Sequence, residues 1–354
     1  MRLVVLFGGR SAEHEVSCIS ALHVLRAVDP DRFDIVPIGI TRDGRWVDSG
    51  DSMAALSGAA AALPSPDDTD ASELDPLPAI VPAERDASEV VVFPLVHGPM
   101  GEDGTVQGLL ELAGVPYVGA GVLGSALCMD KSAAKDVLDA YGLPQAKWLT
   151  AREQAVNKAF ADRAVNELGL PVFVKPANLG SSVGVTKAHD REELRDALTE
   201  ALRYDEFVVV EEAVTGREIE VAVLGNASPR ASVPGEVVPT HEFYDFDDKY
   251  LDGTAGLRVP APLSDDATAE VRHLAVQAFR ALRVDGMARV DFFFEEDGRG
   301  FLVNELNTIP GFTPISMYPK LWEASGLAYN ELVDELVRLS LERHERRSRF
   351  DTKR

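Results

Sequence analysis

The sequence is short of cysteine, of basic charge and of long apolar runs, and each shortage removes a class of function. Cys18 and Cys128 are the only cysteines, so one bridge at most can form, and neither has neighbours at metal-ligand spacing. Buried free thiols in a reducing cytosol are the expectation. Lys and Arg number 35 against 58 Asp and Glu, a formal net charge of -23. That balance argues against a nucleic-acid groove and against an anchor on an anionic membrane, while leaving room for a locally basic pocket that takes a small anion. No apolar stretch approaches the roughly 20 residues needed to cross a bilayer. The opening "MRLVVLFGG" is too short for the apolar region and cleavage site of a signal peptide. A cytoplasmic protein with no membrane or nucleic-acid partner is expected. Familiar catalytic signatures are also missing: "HEVSC" at His14 lacks the second histidine of H-E-x-x-H, "FGGRS" is not G-x-G-x-x-G, and there is no G-x-x-x-x-G-K-[ST] and no H-R-D or D-F-G. No internal repeat is present.

What is there is a globular composition, 45% apolar and 26% charged over 354 residues, enough for two or three domains. Strands at Leu3–Phe7, Phe33–Ile40 and Glu89–Pro94 alternate with helices at Val16–Ala27 and Thr105–Ala113. Such alternation implies a parallel, helix-covered sheet. Residues 49–87, rich in Ala, Pro, Asp and Ser without a firm period, read as an insertion, partly helical and mobile. Asp130 caps a helix stopped by Gly142 and Pro144. Strands follow at Pro171–Lys175, Val183–Ala188 and Glu206–Glu211, with a helix at Arg191–Leu202. Further strands at Ile219–Leu224 and Ala231–Val238 precede a polar loop, a helix at Ala267–Leu282, a hairpin, a helix at Tyr329–Arg343 and a basic, frayed tail.

The hairpin "ARVDFFFEEDGRGFLVNELNTIPG" poses the sharpest question, because Asp291 and Glu305 sit inside runs that otherwise read as buried strand. Ionised carboxylates are rare there unless compensated. A three-residue loop pairs Glu296 with Gly300, which sets Asp291 opposite Glu305 and Arg289 opposite Asn307 on one face. Opposed carboxylates repel unless a cation lies between them, and oxygen donors from Asp, Glu and Asn suit a hard cation such as Mg2+ completed by phosphate. A solvated sheet face is the plain alternative.

"LPVFVKPANLGSSVGVTKA" places Lys175 at the end of an apolar strand, before a Gly/Ser-rich loop that leads to another strand rather than to a helix. Gly180 and Gly184 let backbone approach a ligand, while Ser181, Ser182 and the loop amides can donate to phosphate oxygens. Gly-Ser-Ser is also a common turn.

Lys131, Lys175 with its serine loop, Glu211 and the Asp291/Glu305/Asn307 set together resemble the ATP-grasp enzymes. Within that group, "GGRSAEHEVS", "HGPMGEDGTVQGLLELAGVPYVG", "MDKSAAK", "VKPANLGSSVGV", "FYDFDDKY", "ARVDFFF" and "VNELNTIPGFTPISMYP" resemble, in order, the motif series of the D-alanine–D-alanine ligase family. The resemblance implies an α/β and α+β chain: an amino-terminal parallel α/β domain followed by a two-lobed ATP-grasp fold. It divides the sequence into a substrate-binding domain at 1–119, a central lobe at 120–214, a carboxy-terminal lobe at 215–346 with a lid at 240–256, and a tail at 347–354. It implies ATP-driven joining of two D-alanine molecules through an acyl phosphate for peptidoglycan precursors, two Mg2+ (or Mn2+), and a homodimer, and leaves open a monovalent activator such as K+.

By the same resemblance, Glu13 binds the ammonium of the first D-alanine, with His97 and Glu102 supporting that subsite. Lys131, Lys175, Ser182 and Lys249 serve the phosphates. The backbone of Glu211, Glu212 and Val214 meets adenine and Glu218 the ribose. Arg289 steadies the developing oxyanion, Asp291, Glu305 and Asn307 hold metal, and Gly311, Ser316 and Met317 shape the second D-alanine subsite. Glu13, Ser181 and Tyr250 form a triad that closes the lid. Plainer readings stand beside these: a helix first-turn carboxylate for Glu13, a structural histidine for His97, a surface lysine for Lys131, a partner of Asp291 for Arg289, and core for Met317. The family's Lys-Trp pair after the first adenine-segment glutamate is replaced here by Glu212-Ala213. Rival readings are a D-alanine–D-lactate depsipeptide ligase, an ATP-grasp ligase of another carboxylate, and a non-catalytic nucleotide sensor.

Overall fold

The first strand is apolar at every inner position because both its faces are covered. In the computed structural model, residues 1–49, 62–68, 72–82, 86–238, 256–313 and 315–351 are described. The first sheet runs β3-β2-β1-β4, from β1 (Arg2–Gly8), β2 (Asp34–Ile40), β3 (Trp46–Asp48) and β4 (Val90–Pro94). β2 and β4 flank β1 in parallel, as alternation with helices requires. β3 is an unanticipated antiparallel edge. Its signal was Asp43-Gly44: Thr41 N donates to Arg45 O and Gly44 adopts φ +92°, a hairpin turn. Helices α1 (His14–Ala27), α2 (Pro76–Ile80) and α3 (Thr105–Ala113) belong to this unit. The described part of the 49–87 insertion is anchored on the sheet's end: Leu63 is buried, and a Cβ at Gly39 would fall 2.6 Å from the Pro66 ring.

α4 (Val122–Met129) and α5 (Lys131–Ala140) lead to a second sheet, all antiparallel, of order β5-β8-β6-β7. Asp130 caps α5 as expected, accepting from Ala133 N. Its strands are β5 (Trp148–Arg152), β6 (Val172–Pro176), β7 (Thr186–Ala188) and β8 (Phe207–Glu212), with helices α6 (Lys158–Leu168) and α7 (Arg191–Ala201) between them. Leu149, Val172, Val174, Val208 and Val210 share a core with residues of α6 and α7. Trp148, Phe173, Lys175, Val209 and Glu211, at the alternate positions, turn to the other face. β5 and α6 went unread in the sequence, and the strand expected at Val183–Ala188 shortens to three residues because the Gly-Ser-Ser loop takes up its first half.

The third sheet, of order β11-β10-β9-β12-β13, is also antiparallel. It comprises β9 (Arg217–Gly225), β10 (Arg230–Val238), β11 (Gly256–Arg258), β12 (Gly286–Glu295) and β13 (Gly300–Asn307). α8 (Asp265–Ala281) covers one face, sharing a core with Ile219, Val221, Val223 and Val290. α9 (Met317–Ala324) and α10 (Tyr329–Ser348) share a core with the first sheet, where Phe93 and Phe312 meet edge to face at 5.9 Å.

The β12–β13 register places Arg289 opposite Asn307 and Asp291 opposite Glu305, as the sequence predicts, but by a different route. Glu295, not Glu296, pairs with Gly300, so the turn is one residue longer than expected. A bulge between Asp291 and Phe292 absorbs the difference at Asn304 and restores the pairing.

The last helix runs past its expected end at Arg343, because α10 continues to Ser348. Three arginines hold it: Arg346 pairs with Asp285 at 2.8 Å, Arg347 with Glu111 at 3.4 Å, and Arg343 is buried. The Arg343 guanidinium donates to Gly119 O and Tyr117 O and lies 4.0 Å from the Tyr117 ring centroid. It ties the last helix to the connection that leaves the first sheet. Arg343→Met should leave those carbonyls without a donor and lower unfolding free energy by about 2–4 kcal/mol. Chemical denaturation measures this; a loss within about 0.5 kcal/mol would contradict it.

Candidate active site

The second and third sheets face each other across a cavity of about 460 Å3. Its walls carry the polar-bearing positions of both sheets, whose alternate apolar positions are spent on the two sheets' own cores. From the second sheet come Phe173, Lys175 and Glu211; from the third, Glu218, Glu220, Arg289, Asp291 and Glu305. Lys131 and the loop Leu179–Ser182 lie between, and Glu212–Gly216 crosses from one sheet to the other.

Asp291 is opposite Glu305 on one side and Glu220 on the other, so three carboxylates stand in a row across β9, β12 and β13. Cations compensate them. Arg289 grips Asp291 with two bonds of 2.7 and 2.6 Å and lies 3.1 Å from Glu220. Asn307 Nδ2 donates to Asp291 Oδ2 at 2.9 Å. Lys131 Nζ lies 4.0 Å from Glu305 and donates to Leu179 O, which joins the acid row to the serine loop. Among the described residues no three His, Cys, Asp or Glu side chains come together as a metal site. The predicted metal set therefore offers two carboxylates and one amide.

Opposite the row, Glu211 is buried between two ammonium groups: Lys175 at 2.7 Å on one oxygen and Lys135 at 3.0 Å on the other. Burial alone would raise the Glu211 carboxyl, but the two lysines hold it down to about 2. Burial also opposes charge on Lys175, yet Glu211 leaves its ammonium above the ordinary value. For Lys135 burial wins and the value falls. Ser181 and Ser182 adopt left-handed φ of +51° and +58°, strained for serine and of the kind that gathers at ligand loops. Glu212 accepts from Lys147 N and pairs with Arg299 of the hairpin turn, so its side chain serves structure.

Glu13 caps the start of α1, where its N–H donates to Ser11 Oγ. Its carboxylate reaches toward two loops. A Cβ at Gly98 would lie 3.7 Å from Glu13 Oε2, and one at Gly180 only 3.5 Å away. The first sheet's loop and the serine loop thus converge on one carboxylate. His97 Nδ1 donates to Ile309 O at 3.0 Å, so its proton sits there; Nε2 is buried without a partner among the described residues. Burial lowers the His97 value, keeping the ring neutral. Glu102 accepts from Gly98 N at 2.8 Å, and burial, then Glu13, pushes its carboxyl up to about 8.

Gly311 leaves room for Ser316: a Cβ there would fall 2.7 Å from Ser316 Oγ. That hydroxyl is engaged by Thr313. Met317 is buried and packs against Gly235. Lys249, Tyr250 and nearly all of the 240–256 lid lie outside the described residues. Sequence reading missed Glu220 and Lys135, because in sequence the first resembles any half-exposed strand glutamate and the second resembles Lys131; burial, at 5% and 2% exposure, singles them out.

The raised Glu102 value fixes a pH dependence. The unfolded carboxyl ionises near 4.5 while the folded one stays protonated to about 8, so this group erodes stability as pH rises between the two. Glu102→Gln cannot ionise. Its stability relative to the unsubstituted protein should therefore climb across that window, by on the order of 1 kcal/mol or more. Parallel denaturation-versus-pH curves for the two proteins would contradict this.

Family models agree with the geometry. The model described as D-ala D-ala ligase N-terminus matches residues 2–120 and that described as D-ala D-ala ligase C-terminus matches 137–338. A D-alanine–D-alanine ligase of Geobacillus thermodenitrificans is 46% identical over 97% of this chain and 96% of its own. One of Streptomyces avermitilis is 48% identical over 97% and 94%. Among solved structures, the D-alanine-D-alanine ligase of Coxiella burnetii superposes with a TM-score of 0.84 at 38% identity, covering 98% of this chain and 97% of that one. The VanG D-Ala:D-Ser ligase of Enterococcus faecalis gives 0.80 at 34%, covering 96% and 99%. With both ends matched and relatives this similar along its whole length, the chain belongs to the D-alanine–D-alanine ligase family.

Proposed function

We propose that the protein joins two D-alanine molecules at the expense of ATP, giving D-alanyl-D-alanine, ADP and phosphate for peptidoglycan precursors. Family membership supports the reaction, and the observation that carries the site reading is the convergence of Glu13, the serine loop and the acid row around one cleft. A carboxylate oxygen of the first D-alanine attacks the γ-phosphorus and ADP leaves. The amine of the second then attacks the acyl carbon, loses a proton, and phosphate departs. No covalent bond to the enzyme is needed, so the chain's work is positioning and charge stabilisation.

In this reading Glu13 takes the ammonium of the first D-alanine, with Glu102 and neutral His97 beside it. Lys131, Lys175, Ser181 and Ser182 take the phosphates. The backbone at Glu211–Val214 receives adenine and Glu218 the ribose, with Phe173 on the same wall. Arg289 faces the oxyanion that develops on the acyl carbon. Gly311 and Ser316 border the second D-alanine. Tyr250 and Lys249 close the lid and keep water from the acyl phosphate.

The donor set of Asp291, Glu305 and Asn307 fits a hard divalent cation: its oxygens are the right kind, and two carboxylates leave positions for phosphate oxygens and water. Mg2+ or Mn2+ held there would neutralise the transferred phosphoryl group. The same reading includes K+ as a monovalent activator, a cytoplasmic location and a homodimer. Among the described residues no helix is long and apolar enough to cross a membrane.

Phosphate release from ATP should require D-alanine, and product analysis at neutral pH with D-alanine, D-serine and D-lactate as acceptors should give mainly D-alanyl-D-alanine. Release without D-alanine would make the protein an ATPase, and a dominant D-serine or D-lactate product would move it to another ligase class. Glu305→Gln should cut turnover by at least about 100-fold with the fold intact; near-normal turnover would overturn the assignment of Glu305.

A further inference from the structure

The proposed nucleotide site contains a conflict. Lys175 is read as a phosphate ligand, yet its ammonium is 2.7 Å from Glu211 in a nearly dry environment. A carboxylate buried to 3% exposure cannot give up its counter-ion without being left as an uncompensated charge. If Lys175 were its sole partner, Glu211 would hold that lysine back from any ligand.

Lys135 resolves the conflict. It sits on α5 one turn beyond Lys131, is 2% exposed, and reaches the other oxygen of Glu211 at 3.0 Å. Its ammonium also lies 5.5 Å from the Trp148 ring centroid, a second contact that favours a cation at that spot. Lys175 lines the cavity and Lys135 does not. One lysine is placed to turn toward a ligand, while the other is walled in. Trp148, Phe173 and Glu211 lie side by side on the same sheet face, so the strands fix the carboxylate between the two.

We infer that Lys135 is a positioning residue: the permanent counter-ion of Glu211 that frees Lys175 for the phosphates of the nucleotide. It lies outside the cavity lining and acts through Glu211. The inference rests on the reading of this cleft as an ATP site. It adds that the affinity contributed by the phosphates, as distinct from that of adenine and ribose, depends on a charge outside the cleft.

The test compares binding of ATP and of adenosine, by calorimetry on the full chain. Adenosine makes no demand on Lys175. Lys135→Met should weaken ATP at least about tenfold while adenosine changes less than about threefold. In a Glu211→Gln background, where the Glu211 charge no longer holds Lys175 back, adding Lys135→Met should leave the ratio of ATP to adenosine affinity unchanged. The double variant leaves neither a Glu211 carboxylate nor a Lys135 ammonium unpaired, so if either single variant does not fold, the double variant's ratio is compared with that of the unsubstituted protein, which it should equal or exceed. Equal weakening of both ligands by Lys135→Met, no weakening of ATP, or a further fall of the ratio in the Glu211→Gln background would overturn the inference. Failure of the unsubstituted protein to bind ATP would instead overturn the ATP-site reading itself.

Discussion

The organisation of the cleft rests on compensation of charge that strand packing has forced into one place. Two antiparallel sheets spend one face each on their own cores; on its other face the third sheet gives Ala222, Leu224 and Met287 to the core it shares with the first sheet, and the polar remainder meets the second sheet. On one are Glu220, Asp291 and Glu305; on the other is Glu211. Each carboxylate has a cation within reach: Arg289 for the first two, Lys131 for the third, and Lys135 with Lys175 for the last. Isolated, such charges would be intolerable in strands this well covered. Assembled, they make a site in which each of these four carboxylates already has a partner to exchange.

The first sheet adds the remaining component. Its strands set α1, and the start of α1 sets Glu13, whose carboxylate then approaches Gly98 and Gly180 together. That approach depends on how the first sheet is held to the rest of the chain. Phe93 against Phe312 and the buried Arg343 guanidinium on Tyr117 and Gly119 supply the connection, one apolar and one polar. Gly286 belongs to it as well: with φ +77°, its Cα approaches Gly119 so closely that a Cβ would fall 3.1 Å from that backbone. Glu13 and the acid row are thus set relative to one another by contacts far from either.

Much of this was legible in the sequence, for identifiable reasons. The acid pair stood out because carboxylates interrupt apolar strand runs, and Asp130 because a capping residue before an Ala-rich segment has few other uses. Their pairing across the hairpin was also readable, although the turn length used to derive it was short by one and the bulge at Asn304 restored the outcome. Lys135 was not legible, since in sequence it looks like Lys131 and only burial separates the two. Glu220 was hidden because a glutamate alternating with apolar residues describes any half-exposed strand. β5 was missed because "WLTAR" lacks flanking turn residues, and its place is set by pairing with β8, a contact across more than fifty residues of sequence.

The central claim is that the acid row exchanges its protein partners for a divalent cation that joins it to a triphosphate. The most direct measurement is a crystal structure with Mn2+ and a non-hydrolysable ATP analogue, with the metal located by its anomalous signal. The account predicts manganese shared by Asp291, Glu305 and phosphate oxygens. Manganese and phosphates bound elsewhere, with Asp291 still clasped by Arg289 and Asn307 and Glu305 facing solvent, would contradict it.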